Sequence, residues 1–194
     1  GSRAAALEFF DQQRDWVHRQ LDKLEQEHFQ KLRTWGDGTR VWYRGKQVPL
    51  RLVVGEERSF IQLAEVTVAL RRADASIQDV LESGLRAIAA KELPPEVAQH
   101  AVTTGLRPAG ISVRAQRTRW GSCSARGRLS LNWRLIQVPE AVKDYVIIHE
   151  LCHLRHLNHS RQFWQLVRQH SPNFREHEAW LRQNGDAVFN GCIA

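Results

Sequence analysis

Residues 149–159 read His-Glu-Leu-Cys-His-Leu-Arg-His-Leu-Asn-His, and four of the nine histidines of the chain fall in this window. The run that leads into it, Val142, Tyr145, Val146, Ile147 and Ile148, is apolar, so the helix carrying His149 is expected to be buried. That combination narrows the fold. A buried helix is packed on more than one flank, and imidazoles and a carboxylate inside such packing are unfavourable unless a metal or another partner satisfies them.

His149 and His153 stand four residues apart, hence one turn apart on one helical face. That spacing lets two imidazole nitrogens reach one zinc ion at ~2.0–2.1 Å. Glu150 follows the first histidine and can stand beside the ion without ligating it, where it can take a proton from an activated water. Metal-assisted hydrolysis requires these residue types at these offsets. A catalytic zinc site uses three protein ligands and leaves a fourth position open. The expected third ligand is His159, ten residues after His149 and past the end of the helix, with Asn158 able to turn the chain. His156 is the rival; on a continued helix it shares the face, but roughly 10 Å of rise separates it from His149. Three ligands along one straight stripe converge poorly on a tetrahedral ion. One Zn2+ ion is the expected cofactor.

With 194 residues the chain can bury a real core, and 42% hydrophobic and 25% charged residues are ordinary for a soluble globular protein. No apolar run approaches the ~20 residues of a membrane span, and no secretory signal pattern is present. Cys123, Cys152 and Cys192 make an odd count without Cys-x-x-Cys, which favours free thiols and a reducing, cytoplasmic location. Cys152 reads as a small apolar filler. Gly1-Ser2 reads as a cloning remnant, so the native start is expected to be missing.

The formal net charge is +7, and its placement says more than its size. No Asp or Glu occurs between Glu96 and Glu140, while Arg107, Arg114, Arg117, Arg119, Arg126, Arg128 and Arg134 do. This is either a solvated basic face or a site for phosphate or a polyanion. The block leads directly into the metal helix, so it can reach the same cleft.

Periodicity divides the chain into three stretches. Residues 1–36 hold an amphipathic N-terminal helix over 3–33, with Phe10, Val17, Leu21, Leu24 and Leu32 at helical spacing. Residues 37–105 hold strands over 39–70, with turns at Arg44-Gly45-Lys46 and Gly55-Glu56-Glu57, then a helix over 76–91, a break at Pro94-Pro95, and a second helix to about Gly105. Residues 106–194 form the metal-binding catalytic region. A strand pair is expected at 111–115 and 128–133, joined by a polar loop 117–127, and Pro139 opens the metal helix. Ser160 caps the next helix, which ends at Ser171-Pro172. Asn173 caps a last one that Gly185 stops. The three stretches are expected to form one compact unit.

The stretch from Arg119 to Trp180 resembles the YgjP-like metallopeptidase family, relatives of SprT-type zinc proteases. The matching pieces are Arg119-Trp120-Gly121-Ser122-Cys123-Ser124, then Leu129 to Leu135 with Asn132-Trp133, Pro139, Asp144-Tyr145, His149-Glu150 with His153, Asn158-His159-Ser160, Phe163-Trp164, Pro172 and Trp180-Leu181. Trp16 and the Gly45-Lys46-Gln47-Val48 strand are similar more loosely. The resemblance implies a zincin-like α+β fold: an N-terminal helix and a small antiparallel β region, then helices with an active-site helix packed on a short sheet. It implies His149, His153 and His159 as ligands and Glu150 as base. Family members usually begin with strands before the first helix, which this chain lacks. Metzincins share the ten-residue offset of the third histidine, but they need a methionine turn and this sequence contains no methionine.

Three substrates follow as expectations. A peptidase would lay its peptide along an edge of the 111–133 pair, with Arg119, Trp120, Ser122 and Cys123 in the loop and Tyr145 and His156 nearer the metal as contacts. A nucleoside triphosphate pyrophosphatase, a description given to some family members for UTP, would use the arginine block. A nucleic-acid-associated protease of SprT type is the third. The oxyanion donor is sought among Tyr145, Arg155, His156 and Arg161.

Overall fold

Apolar alternation between residues 40 and 70 yields five short strands in the computed structural model, which describes residues 35–55, 58–70 and 76–191. The helix expected over 3–33 lies outside the described residues, as do Glu56 and Glu57 of the second expected turn. Strands β1 (Arg40–Tyr43) and β2 (Lys46–Pro49) form an antiparallel hairpin. Its turn residues Arg44 and Gly45 have φ of 47° and 75°, the successive left-handed pair that a two-residue hairpin loop uses. Strands β3 (Arg51–Val54), β4 (Ser59–Leu63) and β5 (Val66–Leu70) make a three-stranded antiparallel sheet in that order. The alternation across Val48, Leu50, Leu52 and Val54 is split: Leu50 is the buried corner between β2 and β3. Its N–H donates to the Thr39 carbonyl and its own carbonyl accepts from Gly38 N–H, both at 2.8 Å.

Helix α1 (Ile77–Thr104) is continuous over 28 residues, so the break expected at Pro94-Pro95 does not occur. Each proline removes one backbone donor from the ladder. The buried stripe Leu81, Leu85, Ala89, Leu93, Val97, Ala101 nevertheless keeps its four-residue spacing across them, and that packing holds both halves on one axis. Ser76 Oγ accepts from Asp79 N–H at 3.4 Å at its start, and Gly105 ends it at φ 70°.

The expected strand pair is found as β6 (Gly110–Arg114) and β8 (Arg128–Asn132), and the two run parallel. The loop between them contains a further strand, β7 (Gly121–Cys123), antiparallel to β8 at the edge of the order β6-β8-β7. Leu129 and Leu131 point into the core, and Gly121 and Cys123 pair with them and share that inner face. Arg128 and Arg114 belong to the outer face.

A 3-10 turn over Trp133–Ile136 leads to helix α2 (Glu140–Cys152). Pro139 is the residue just before the helix and offers no side-chain cap. The hairpin turn stands in its place. Arg44 N–H donates to the Ile136 carbonyl at 3.0 Å and Gly45 N–H to Gln137 at 2.9 Å. A Cβ on Gly45 would lie 2.6 Å from Pro139 Cγ, so only glycine fits. Helices α3 (Arg161–His170) and α4 (Phe174–Phe189) follow. Gly185 does not stop α4; it lies buried inside the helix, and the helix continues because Val188 and Phe189 still pack inward. Asn173 precedes α4 without a side-chain capping bond. Residues Gly36–Ala194 form one compact unit. None of the described helices is long and apolar enough to cross a membrane.

Candidate metal centre

Helix α2 is buried along most of its length, and His149 and Glu150 are carried into the interior by their neighbours Val146, Ile147 and Leu151. The helix ends at Cys152, with His153 as its C-terminal cap. His156 is therefore not on a continued helix. It enters through its backbone: His153 Nδ1 lies 3.0 Å from the His156 carbonyl. That bond places the proton on Nδ1 and leaves Nε2 bare, the arrangement by which outer groups orient ligand histidines.

His159 is set by the start of α3. Ser160 Oγ accepts from Phe163 N–H at 3.3 Å, which fixes the turn that Asn158 begins. Phe163 is 0% exposed, and its ring centroid lies 4.9, 4.5 and 4.8 Å from those of His149, His153 and His159. One phenyl ring thus backs all three imidazoles. Trp164 stacks on His159 at 5.6 Å and on Phe174 at 5.3 Å.

The ligand nitrogens of His149, His153 and His159 all lie within 4.8 Å of one another. The Nε2 atoms of His149 and His159 are 3.1 Å apart. Two nitrogens bound at ~2.0–2.1 Å in a tetrahedron stand roughly 3.3–3.4 Å apart. Burial, with His153 and His159 beside it, pulls the His149 pKa down to about 3. Burial also lowers that of His153. Neutral imidazoles are the form a metal ion binds. The donor set therefore fits a tetrahedral divalent ion with an open position.

Glu150 is 7% exposed, and burial pushes its carboxyl up to about 7. Its Oε2 has no hydrogen-bond partner among the described residues. The carboxylate lies against β7, where a Cβ on Gly121 would come 2.6 Å from Glu150 Cγ and 2.8 Å from Oε1. Burial, then the Glu150 charge, raises the thiol pKa of Cys123 on the same inner face. Tyr145, one turn before His149, presents its ring to it at 5.8 Å. Burial first, then Glu178 and Glu150, raises its pKa, so its hydroxyl keeps its proton at neutral pH.

Other expected contacts are placed elsewhere. Trp120 packs on Phe189 at 4.5 Å and over Gly185, and so belongs to the α4 interface. Ser122 opposes Ser130 on the outer face of the sheet. Arg119 is exposed and offers its carbonyl to Asn132. The arginine block does not line the triad as a wall: Arg114 and Arg128 lie on the face away from Glu150, and Arg134 pairs with Glu82 at 3.4 Å beneath Trp133. Arg155 and Arg161 are exposed. Asn132, to which the sequence gave no role, is 0% exposed and holds the loop that leads to β7. Its Nδ2 donates to the Gln116 and Arg119 carbonyls, both at 2.8 Å, and its Oδ1 accepts from Arg134 N–H at 3.1 Å. The one sequence signal was an amide at the end of an apolar strand.

Compared with known proteins, residues 2–184 match the family model described as the YgjP-like metallopeptidase domain. The chain belongs to the YgjP-like metallopeptidase family. No curated protein matches it. Among solved structures, the YgjP-like chain is similar to the zymogen of abylysin from Pyrococcus abyssi, with 22% identity over 47% of this chain and 92% of that one and a TM-score of 0.43. It is likewise similar to the zymogen of jannalysin from Methanocaldococcus jannaschii, with 23% identity, 48% and 96% coverage and a TM-score of 0.43. Both are metallopeptidases by name. The YgjP-like domain here combines three helices, α2 to α4, with a short mixed sheet around the histidine triad.

Proposed function

We propose that this chain is a zinc peptidase in which His149, His153 and His159 hold one ion and Glu150 handles the proton. The observation that supports it most is the convergence of three neutral ring nitrogens within 4.8 Å beside a buried carboxylate. An ion held there would supply Lewis acidity, polarising a carbonyl and making water a competent nucleophile near neutral pH. Glu150 takes the proton from the attacking water and passes it to the departing amine. Tyr145, protonated and one turn from His149, donates to the developing oxyanion. The His153–His156 bond and the Phe163 ring keep the imidazoles aimed.

An edge strand favours a peptide as substrate. β7 is the outer strand of its sheet, and Gly121 brings it against Glu150. An extended peptide can pair with such an edge through main-chain hydrogen bonds, which carries its carbonyls past the carboxylate. The alternative, hydrolysis of a nucleoside triphosphate such as UTP, rests on the arginine block. Its support weakens because Arg114 and Arg128 lie on the opposite face and Arg134 is paired.

The test is a parallel screen of metal-loaded protein and Glu150→Gln against an unfolded-peptide library and a set of nucleoside triphosphates. The expected result is metal-dependent cleavage of peptides, lost in the variant. Pyrophosphate release without peptide cleavage would replace this reading with the nucleotide one.

A further inference from the structure

A second concave site lies on the flank of α2 away from β7. It is a cleft of about 560 Å³ between the last turns of α1, the flank of α2 bearing Asp144 and Ile148, the turn joining α3 to α4, and His177. That volume falls within the roughly 300–1,000 Å³ of ordinary ligand sites. It adjoins the metal centre through one side chain, because the Tyr145 ring lies 5.8 Å from that of His149 and 6.0 Å from that of His177.

The charges of its walls are unequal. Asp144 is the carboxylate of the lining, and no Lys or Arg lines it; the other titratable groups are His100, His170 and His177. His100 Nε2 lies 3.0 Å from Asp144 Oδ1 and orients the carboxylate, while Oδ2 makes no bond to the described residues. The Asp144 side chain is 38% exposed, so that oxygen can be reached. The C-terminal end of α1, a negative pole, forms the lip with Thr103 and Thr104. The opposite wall carries the start of α4, a positive pole, but Glu176 in its first turn offsets it.

We infer that this cleft binds a guanidinium or ammonium group, with the Asp144 carboxylate as its counter-charge and His100 holding that carboxylate in place. Two sources share this chemistry, a Lys or Arg side chain of a bound peptide and a free cationic small molecule. The first rests on the peptidase reading; the second does not.

The experiment uses the full metal-free chain first. N-acetyl-arginine amide and its uncharged isostere N-acetyl-norleucine amide are titrated while NMR shifts of the cleft are followed. Saturable binding of the arginine probe, at least tenfold tighter than the norleucine probe and weakened about tenfold by Asp144→Asn, is expected. A second variant, Thr103→Lys, places a fixed ammonium at an exposed position of the lip and should also weaken binding without touching the core. His100→Gln should weaken binding less than Asp144→Asn. Equal binding of the two probes, or binding unchanged in both the Asp144 and the Thr103 variants, would overturn the site. The metal-loaded protein is then given a peptide library. Enrichment of Lys or Arg at one position relative to the cut, lost in Asp144→Asn while a peptide without Lys or Arg is still cut, assigns the cleft to a substrate side chain. Asp144-dependent probe binding without such enrichment assigns it to a free cation. Because the probe arm needs no metal and no turnover, failure of the cleft and failure of the peptidase reading are read separately.

Discussion

Gly121 and Glu150 occupy each other's space: a Cβ on residue 121 would stand 2.6 Å from the Glu150 Cγ and 2.8 Å from its Oε1. The edge strand and the buried carboxylate are thus one unit. Gly121→Ala is expected to move one of them. A displacement of about 1 Å can lower turnover roughly 100-fold. Metal content should stay at the wild-type value, because no ligand is touched. Kinetic assay on a cleaved peptide together with elemental analysis checks this; loss of metal in the variant would contradict it.

The two rival histidines act through different atoms. His159 brings its ring to the triad, and His156 brings its carbonyl to His153. His159→Ala should abolish stoichiometric zinc binding. His156→Ala keeps its carbonyl and should lower affinity by less than about 10-fold, the lower end of what outer-group changes produce. Competition with a chromophoric chelator measures both.

Metal-free protein should reveal opposite pH dependences from adjacent residues. The His149 pKa falls from 6.5 to about 3 on folding, so its contribution to stability is lost as pH drops below about 6.5. The Glu150 pKa rises from 4.5 to about 7, so its contribution is lost as pH climbs through that window. Between pH 4.5 and 6.5 the two oppose each other. Glu150→Gln removes the second, so its stability relative to wild type should rise with pH by about 1 kcal/mol per unit over that window. Urea denaturation in chelator at several pH values tests the slope, and a constant difference would contradict it.

Phe163 supports the whole triad from behind. Phe163→Ala should destabilise the fold by ~3–5 kcal/mol. Phe163→Leu keeps most of the volume and should leave the fold stable while weakening zinc binding, since the flat surface behind three rings is lost. Thermal melting with and without chelator separates the two effects.

The chemistry was more legible than the architecture. His149, Glu150 and His153 announce themselves because hydrolysis at a metal demands those offsets whatever surrounds them. Helix starts at Ser76 and Ser160 were legible for the same local reason, since a hydroxyl answers nearby N–H groups. β7 was hidden: Gly-Ser-Cys has little strand preference of its own, and its extension comes from pairing with β8. The continuity of α1 through Pro94 and Pro95 was hidden likewise, because tertiary packing of Leu93 and Val97 outweighs a local breaking signal. Nor does spacing alone reveal that the outer-face arginines turn away from the carboxylate, for that depends on which way β8 faces.

The hairpin turn clasping Pro139 gives the molecule a timetable. Gln137 Nε2 reaches back to the Trp42 carbonyl, a separation of 95 residues, at the point where the active-site helix begins. Contacts so remote in sequence form late in a folding chain. During synthesis the hairpin leaves the ribosome first and must await its docking partner, so the histidines cannot come into register until the two distant segments have met.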